Sequence, residues 1–106
     1  MSTFSFFHPT DIDLGVQQYL SSSGAILLDV RTRDEYRGGH IPHSKNIPLQ
    51  TIDKVVSVVE NKDTPLFVYC HSGVRSRQAV ESLEDLGYTN VTNIGGIAAY
   101  SGKVER

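Results

Sequence analysis

Residues 66–87 read LFVYCHSGVRSRQAVESLEDLG. This stretch spells a strand, a loop and a helix in succession. LFVYC is a short, nearly unbroken apolar run, the pattern of a strand buried on both faces, as in a parallel sheet. From Ser76 onward the period changes. Ala79, Val80, Leu83 and Leu86 mark one face of a helix over 76–87, and Gly87 suits the left-handed position just past a helix end. Between the two lies a small polar loop that opens on the only cysteine of the chain, Cys70.

The same alternation extends both ways. AILLDV, 25–30, is a second buried run, and VTNI, 91–94, a third. A helix is expected over about 11–22, with Thr10 as its N-cap and Asp11 and Asp13 in its first turn, where carboxylates suit the positive end of the helix dipole. Ser21 to Gly24 stop it. A short helical turn is expected at Thr32 to Arg37, ended by Gly38 and Gly39, and a brief strand at NIPL, 46–49. Apolar residues at 52, 55, 56 and 59 have helical spacing over 51–59, although their β-branching also suits a strand. IAAYSG closes the pattern as a turn or short helix. Strands alternating with helices imply an α/β domain with a parallel sheet, helices on both faces and right-handed crossovers. In such sheets, sites form beyond the carboxyl ends of the strands. Asp29, Cys70 and Gly95 all fall there.

At 106 residues the chain is one domain's worth, 1–106. A net charge of −2 supplies no basic field, so neither nucleic acid nor an anionic membrane is expected as a partner. One cysteine excludes an internal disulfide framework and a cysteine-rich zinc site. The opening MSTFSFFHPTDID lacks the basic and apolar regions of a secretory signal. No window reaches the roughly 18 apolar residues of a membrane span. A cytoplasmic location with reduced thiols is therefore expected.

Cys70 admits two readings. It can be a small core residue at a strand end. Alternatively, the backbone N–H groups of 71–76 and the following helix N-terminus can surround its sulfur and favour the thiolate. Gly73 lets such a loop turn tightly. Arg75 and Ser76 add a cation and a hydroxyl, completing a nest for an anion beside a nucleophile. Asp29 is either catalytic or paired with an arginine, with Arg31, Arg33 and Arg75 as candidates. His71 can serve as an acid or base or simply face solvent. His40 and His43 flank Pro42, which breaks helical spacing, and no further ligand cluster accompanies them, so no metal is expected. Gly95 and Gly96 point to tight packing near the loop. Neither GxGxxG nor GxxxxGK[ST] occurs, so a nucleotide cofactor has no support.

Four segments together resemble the single-domain rhodanese-like sulfurtransferases: LLDVRTRDEYRGGHIPHSKNIPL at 27–49, YCHSGVRS at 69–76, the following helix ending in LGY, and NIGGIAAYSG at 93–102. The likeness runs from about His8 to Gly102. It implies a rhodanese-like fold with a sheet of about five parallel strands. It also implies that Cys70 accepts sulfur from an anionic donor such as thiosulfate and forms a persulfide. The persulfide would be cradled by His71, Ser72, Gly73, Val74, Arg75 and Ser76, with Asp29 and Arg31 in support. Acceptors implied are cyanide, a thiol, thioredoxin or another protein, with no cofactor. Tyr100 stands where the family usually has Trp. A non-catalytic binding module is the alternative. Phosphatases and arsenate reductases of the same fold are a further one. However, four residues separate Cys70 from Arg75, as in the sulfurtransferase loop; the phosphatase loop has five.

Overall fold

The computed structural model describes residues 11–106. Helix α1 spans Ile12–Leu20. Asp11 is its cap, extended at φ −71° and ψ 105°, with its side chain accepting from the Leu14 N–H. Asp11 was expected inside the first turn; Thr10, the expected cap, lies outside the described residues. Strand β1, Ile26–Asp29, follows. Helix α2, Arg33–Gly38, starts with a capping box in which Thr32 and Glu35 each bond the other's backbone N–H. The expected strand at 46–49 shrinks to β2, Lys45–Asn46. Pro48 has no N–H to continue a ladder.

The single helix expected over 51–59 is instead two pieces, a 3-10 segment at Leu49–Lys54 and helix α3 at Val55–Val58. Thr51 breaks the helical path at φ −125°, ψ 32°. Ile52, Val55 and Val59 are buried as the spacing required, while Val56 is exposed. Strand β3 is Leu66–Cys70, with every residue buried. Helix α4, Val74–Asp85, begins two residues earlier than its apolar face suggested, because Gly73 takes the N-cap position at φ 104°. Gly87, at φ 103°, stands just past its end as expected. Strand β4 runs two residues longer than expected, Val91–Gly96, and a 3-10 turn, Ile97–Ala99, follows.

The described strands form one parallel sheet in the order β2-β1-β3-β4, four strands against the five or so implied by the resemblance. The strands' alternation divides the core. Leu27, Phe67, Tyr69 and Ile94 pack with Ile12 and Val16 of α1 on one face. Leu28, Val30, Leu66, Val68 and Cys70 pack with Val55, Ala79 and Leu83 of α3 and α4 on the other. Consecutive residues of β3 thus serve opposite cores. Helices cover both faces. Asp29 pairs with Tyr69 and Cys70 with Gly96 in the ladders, so the carboxyl ends of β1, β3 and β4 meet along one edge. Between β3 and β4 the register shifts: Val68 faces Asn93, and Tyr69 faces Gly95. The bulge at Ile94 delivers Gly95 and Gly96 beside the loop that leaves Cys70.

Candidate active site

Cys70 ends β3 on the face covered by α4, and only 1% of its surface is exposed. The chain then folds over its own sulfur. The Gly73 N–H donates to Sγ at 3.0 Å and the Ser76 N–H at 3.3 Å, and the Ser76 hydroxyl lies 3.5 Å away. Burial alone would push the thiol pKa up. The Ser76 hydroxyl and the N–H groups of Ser76, Gly73 and Ser72 outweigh burial and hold it below the ordinary value. Both readings of Cys70 hold in part: it is a packed core residue, and its sulfur sits in a ring of donors.

Glycines shape this ring. At φ 104°, Gly73 adopts a conformation that other residues rarely take, and this aims its N–H at the sulfur. A Cβ on Gly96 would collide with the His71 carbonyl and the Ser72 Cα. That contact permits the loop to lie directly on β4, where the Ala98 N–H donates to His71 O at 3.1 Å. The packing role read for Gly96 is thus borne out, and Gly95 lies close enough that a Cβ on Gly73 would come within 3.5 Å of its Cα. His71 and Ser72 are exposed, and Val74 is 55% exposed.

Ser76 is fully buried, and its single hydroxyl proton has three acceptors in reach. These are Asn93 Oδ1 at 2.7 Å, Gly73 O at 3.1 Å and Cys70 Sγ. Asn93 was not among the expected site residues. Its Oδ1 also accepts from the Gly95 N–H at 2.9 Å, and its Nδ2 donates to Gly73 O at 3.2 Å. One amide therefore ties β4 to the loop and to the helix start. The available signal was a polar side chain two residues after Val91 in a strand, which places it on the α4 face.

Arg75, expected in the cradle, makes no hydrogen bond to the sulfur and turns its guanidinium to Glu35. Its guanidinium makes a two-armed pair with Glu35, Nη1 to Oε1 at 2.8 Å and Nη2 to Oε2 at 3.0 Å. This pair, with the Thr32 capping bonds, pulls the Glu35 carboxyl down to about 2 against burial. Asp29 and Arg31 are both buried and form their own two-armed pair. Nε donates to both carboxylate oxygens at 3.1 Å, and Nη2 donates to Oδ2 at 2.7 Å. Arg31 also donates to Gly39 O at 2.7 Å. Burial disfavours the guanidinium charge, and Asp29 more than restores it. Of the candidate partners for Asp29, the structure selects Arg31. The pair pins the β1–α2 corner and leaves Asp29 no free oxygen for proton transfer.

His40 stacks on Tyr36 at 3.8 Å, and its Nδ1 lies 2.9 Å from the Tyr36 carbonyl. Among the described residues no cluster of metal-ligating side chains occurs. Tyr100 packs against the core on the α1 side, opposite the face that holds Cys70. It lines a hollow of about 280 Å³ with Asp13, Val16 and Leu20. A smaller hollow, about 200 Å³, lies against the loop and is lined by Ser72, Gly73, Val74, Arg77 and Asn93.

The chain matches the rhodanese-like domain family over residues 15–103. It belongs to that family. It is 38% identical over 71 residues to thiosulfate sulfurtransferase PspE of Escherichia coli (strain K12), covering 66% of this chain and 68% of that one. A sulfurtransferase of Allochromatium vinosum is 36% identical over 86 residues, 80% of this chain and 79% of its own. In structure, a rhodanese with anions from E. coli matches with a TM-score of 0.72 at 32% identity, over 77% of this chain and 98% of that one. Some relatives are longer: the chain spans 25% of the adenylyltransferase and sulfurtransferase uba4 of Ogataea parapolymorpha. No helix among the described residues is long and apolar enough to cross a membrane.

Proposed function

We propose that this rhodanese-like chain is a sulfurtransferase that carries sulfane sulfur on Cys70. The observation that carries the reading is the ring of backbone N–H groups closed on the one cysteine, at 3.0 and 3.3 Å. Those donors favour a thiolate and would favour a persulfide anion for the same reason. The relatives named as sulfurtransferases support the same chemistry.

The reaction runs in two displacements. The Cys70 thiolate attacks the outer sulfur of a donor such as thiosulfate. The S–S bond breaks, sulfite leaves with its electron pair, and Cys70 becomes a persulfide. An acceptor, either cyanide or a thiol on a small molecule or on a protein such as thioredoxin, then attacks the terminal sulfur and regenerates the thiolate. Both steps balance without an external oxidant or reductant. His71, Ser72, Gly73, Val74 and Ser76 form the cradle, and Asp29 and Arg31 brace the corner beside it. A reducing compartment such as the cytoplasm suits a free Cys70.

Intact-protein mass spectrometry after incubation with thiosulfate tests this. The wild type should gain one sulfur atom, which cyanide or a thiol removes, and Cys70→Ser should gain none. If neither thiosulfate nor a persulfide donor leaves sulfur on the wild type, the reading is wrong.

A further inference from the structure

We propose that Glu35 sets donor specificity by holding Arg75 in a closed ion pair, so that the loop favours singly charged alkyl persulfides over the thiosulfate dianion. This rests on the sulfurtransferase reading above. Both arms of the Arg75 guanidinium that meet Glu35 are used, at 2.8 and 3.0 Å. Arg75 lies in the first turn of α4, directly before Ser76, whose N–H reaches Cys70 Sγ at 3.3 Å, so its cation is at hand for a donor's negative group. As the pair stands, that charge is already neutralised. Glu35 is itself fixed, because its Oε1 accepts the Thr32 N–H at 2.9 Å in the α2 capping box.

The two donors differ in what they ask of the site. Thiosulfate brings two negative charges toward a thiolate, and with Arg75 paired to Glu35 the N–H groups of the loop must offset them without its charge. An alkyl persulfide, R–S–SH, brings one charge at most. Cys70 Sγ bonds to its outer sulfur, the S–S bond breaks, and R–S⁻ leaves with the electron pair. The product is Cys70–S–SH, and no other reactant is needed. The Glu35 carboxylate competes with the dianion for the Arg75 charge; it opposes the persulfide far less.

Glu35→Gln isolates the effect. Gln retains the oxygen that caps α2, a role that Glu and Gln share, but it turns an NH2 toward the second guanidinium arm. A two-armed pair cannot form. Sulfur loading of Cys70 should reach half its maximal rate at about fivefold lower thiosulfate, the equivalent of one exposed ion pair, with the maximal rate little changed. Loading from an alkyl persulfide should change by less than about twofold on the same scale. Glu84→Gln, the same charge change near the far end of α4, should leave thiosulfate loading as it was. Adding Arg75→Ala to Glu35→Gln should remove the gain.

A second readout does not depend on sulfur transfer. Sulfate, a dianion with no sulfane sulfur to donate, should slow alkylation of Cys70 by iodoacetamide in Glu35→Gln at concentrations without effect on the wild type. If no donor loads any form but sulfate protects only Glu35→Gln, the ion-pair inference stands and the sulfurtransferase reading falls. An identical thiosulfate and sulfate response in wild type and Glu35→Gln overturns the inference. So does an equal gain from Glu84→Gln.

Discussion

Replacing Ser76 with Ala should separate the reactivity of Cys70 from the stability of the fold. The buried hydroxyl serves Asn93 Oδ1, Gly73 O and Cys70 Sγ with one proton. Its removal strands none of them. Asn93 Oδ1 keeps the Gly95 N–H, and Gly73 O keeps Asn93 Nδ2 and the Arg77 N–H. The sulfur keeps its two backbone donors. The variant should therefore lose about 1 kcal/mol of stability, the net worth of one ordinary hydrogen bond. The thiolate loses more. A hydrogen bond to a charged group is worth roughly 1.5–3 kcal/mol. The 3.5 Å separation, together with competition from Asn93, puts this one at the low end. That corresponds to about a tenfold lower ratio of thiolate to thiol at a given pH. The rate of iodoacetamide alkylation against pH reads this ratio, and urea unfolding at acidic pH reads the stability. Asn93→Ala supplies the opposite sign: it frees the Ser76 proton for the sulfur and should move the alkylation profile to lower pH. If both variants move the profile the same way, or Ser76→Ala leaves it unmoved, the one-proton argument is wrong.

Gly96→Ala should displace the loop from β4, since the new Cβ meets backbone at His71 and Ser72 rather than a yielding side chain. Sulfur loading should fall at least about tenfold, with a destabilisation of about 1–3 kcal/mol measured by urea denaturation. Acid stability should reflect Glu35, whose pKa falls from 4.5 in the unfolded chain to about 2 in the fold. Its stabilisation is complete above about 4.5 and is lost as pH falls through about 2. Thermal melts between these limits should fall less steeply for Glu35→Gln than for the wild type; equal slopes would remove the pair from the acid response. Tyr100→Trp should be tolerated in the hollow of about 280 Å³ on the α1 face, leaving sulfur loading within about twofold, a difference of less than 0.5 kcal/mol. A large change in loading would show that this face communicates with Cys70.

The strands and the edge that gathers Asp29, Cys70 and Gly95 were legible because their signals are local. Apolar runs at 25–30 and 66–70 are too short and too continuous for amphipathic helices, and the turn to helical spacing after Cys70 is abrupt. The helix at 51–59 was misread because its Val-rich spacing fits a helix face, whereas Pro48 and the kink at Thr51 split the segment. The α4 start was placed late because Gly73 and Val74 carry no capping hydroxyl; the fold uses the left-handed freedom of Gly73 instead. Cys70 and its loop were legible from one cysteine followed by small residues. Asn93 was not, since its partners lie 17 and 20 residues away in sequence and only the parallel pairing brings them together. The partner of Arg75 was not legible either, since Glu35 sits 40 residues earlier on a different helix.

The alternation along β3 has a consequence for how this domain can diverge. Tyr69 and Cys70 are neighbours in the chain but belong to separate interiors, one under α1 and one under α4. The sheet acts as a partition between a room under α1 and a room that holds the sulfur. On the α1 side, the Tyr69 hydroxyl holds Ile41 N and Ser44 Oγ at 3.1 Å, and substitutions there test packing and these bonds without touching the sulfur. On the sulfur side, even a change at Ala79 or Leu83 presses on the core in which Cys70 is packed. Sequence drift and engineering can therefore rework the α1 room at a cost in stability alone, while a change in the α4 room also reaches the sulfur.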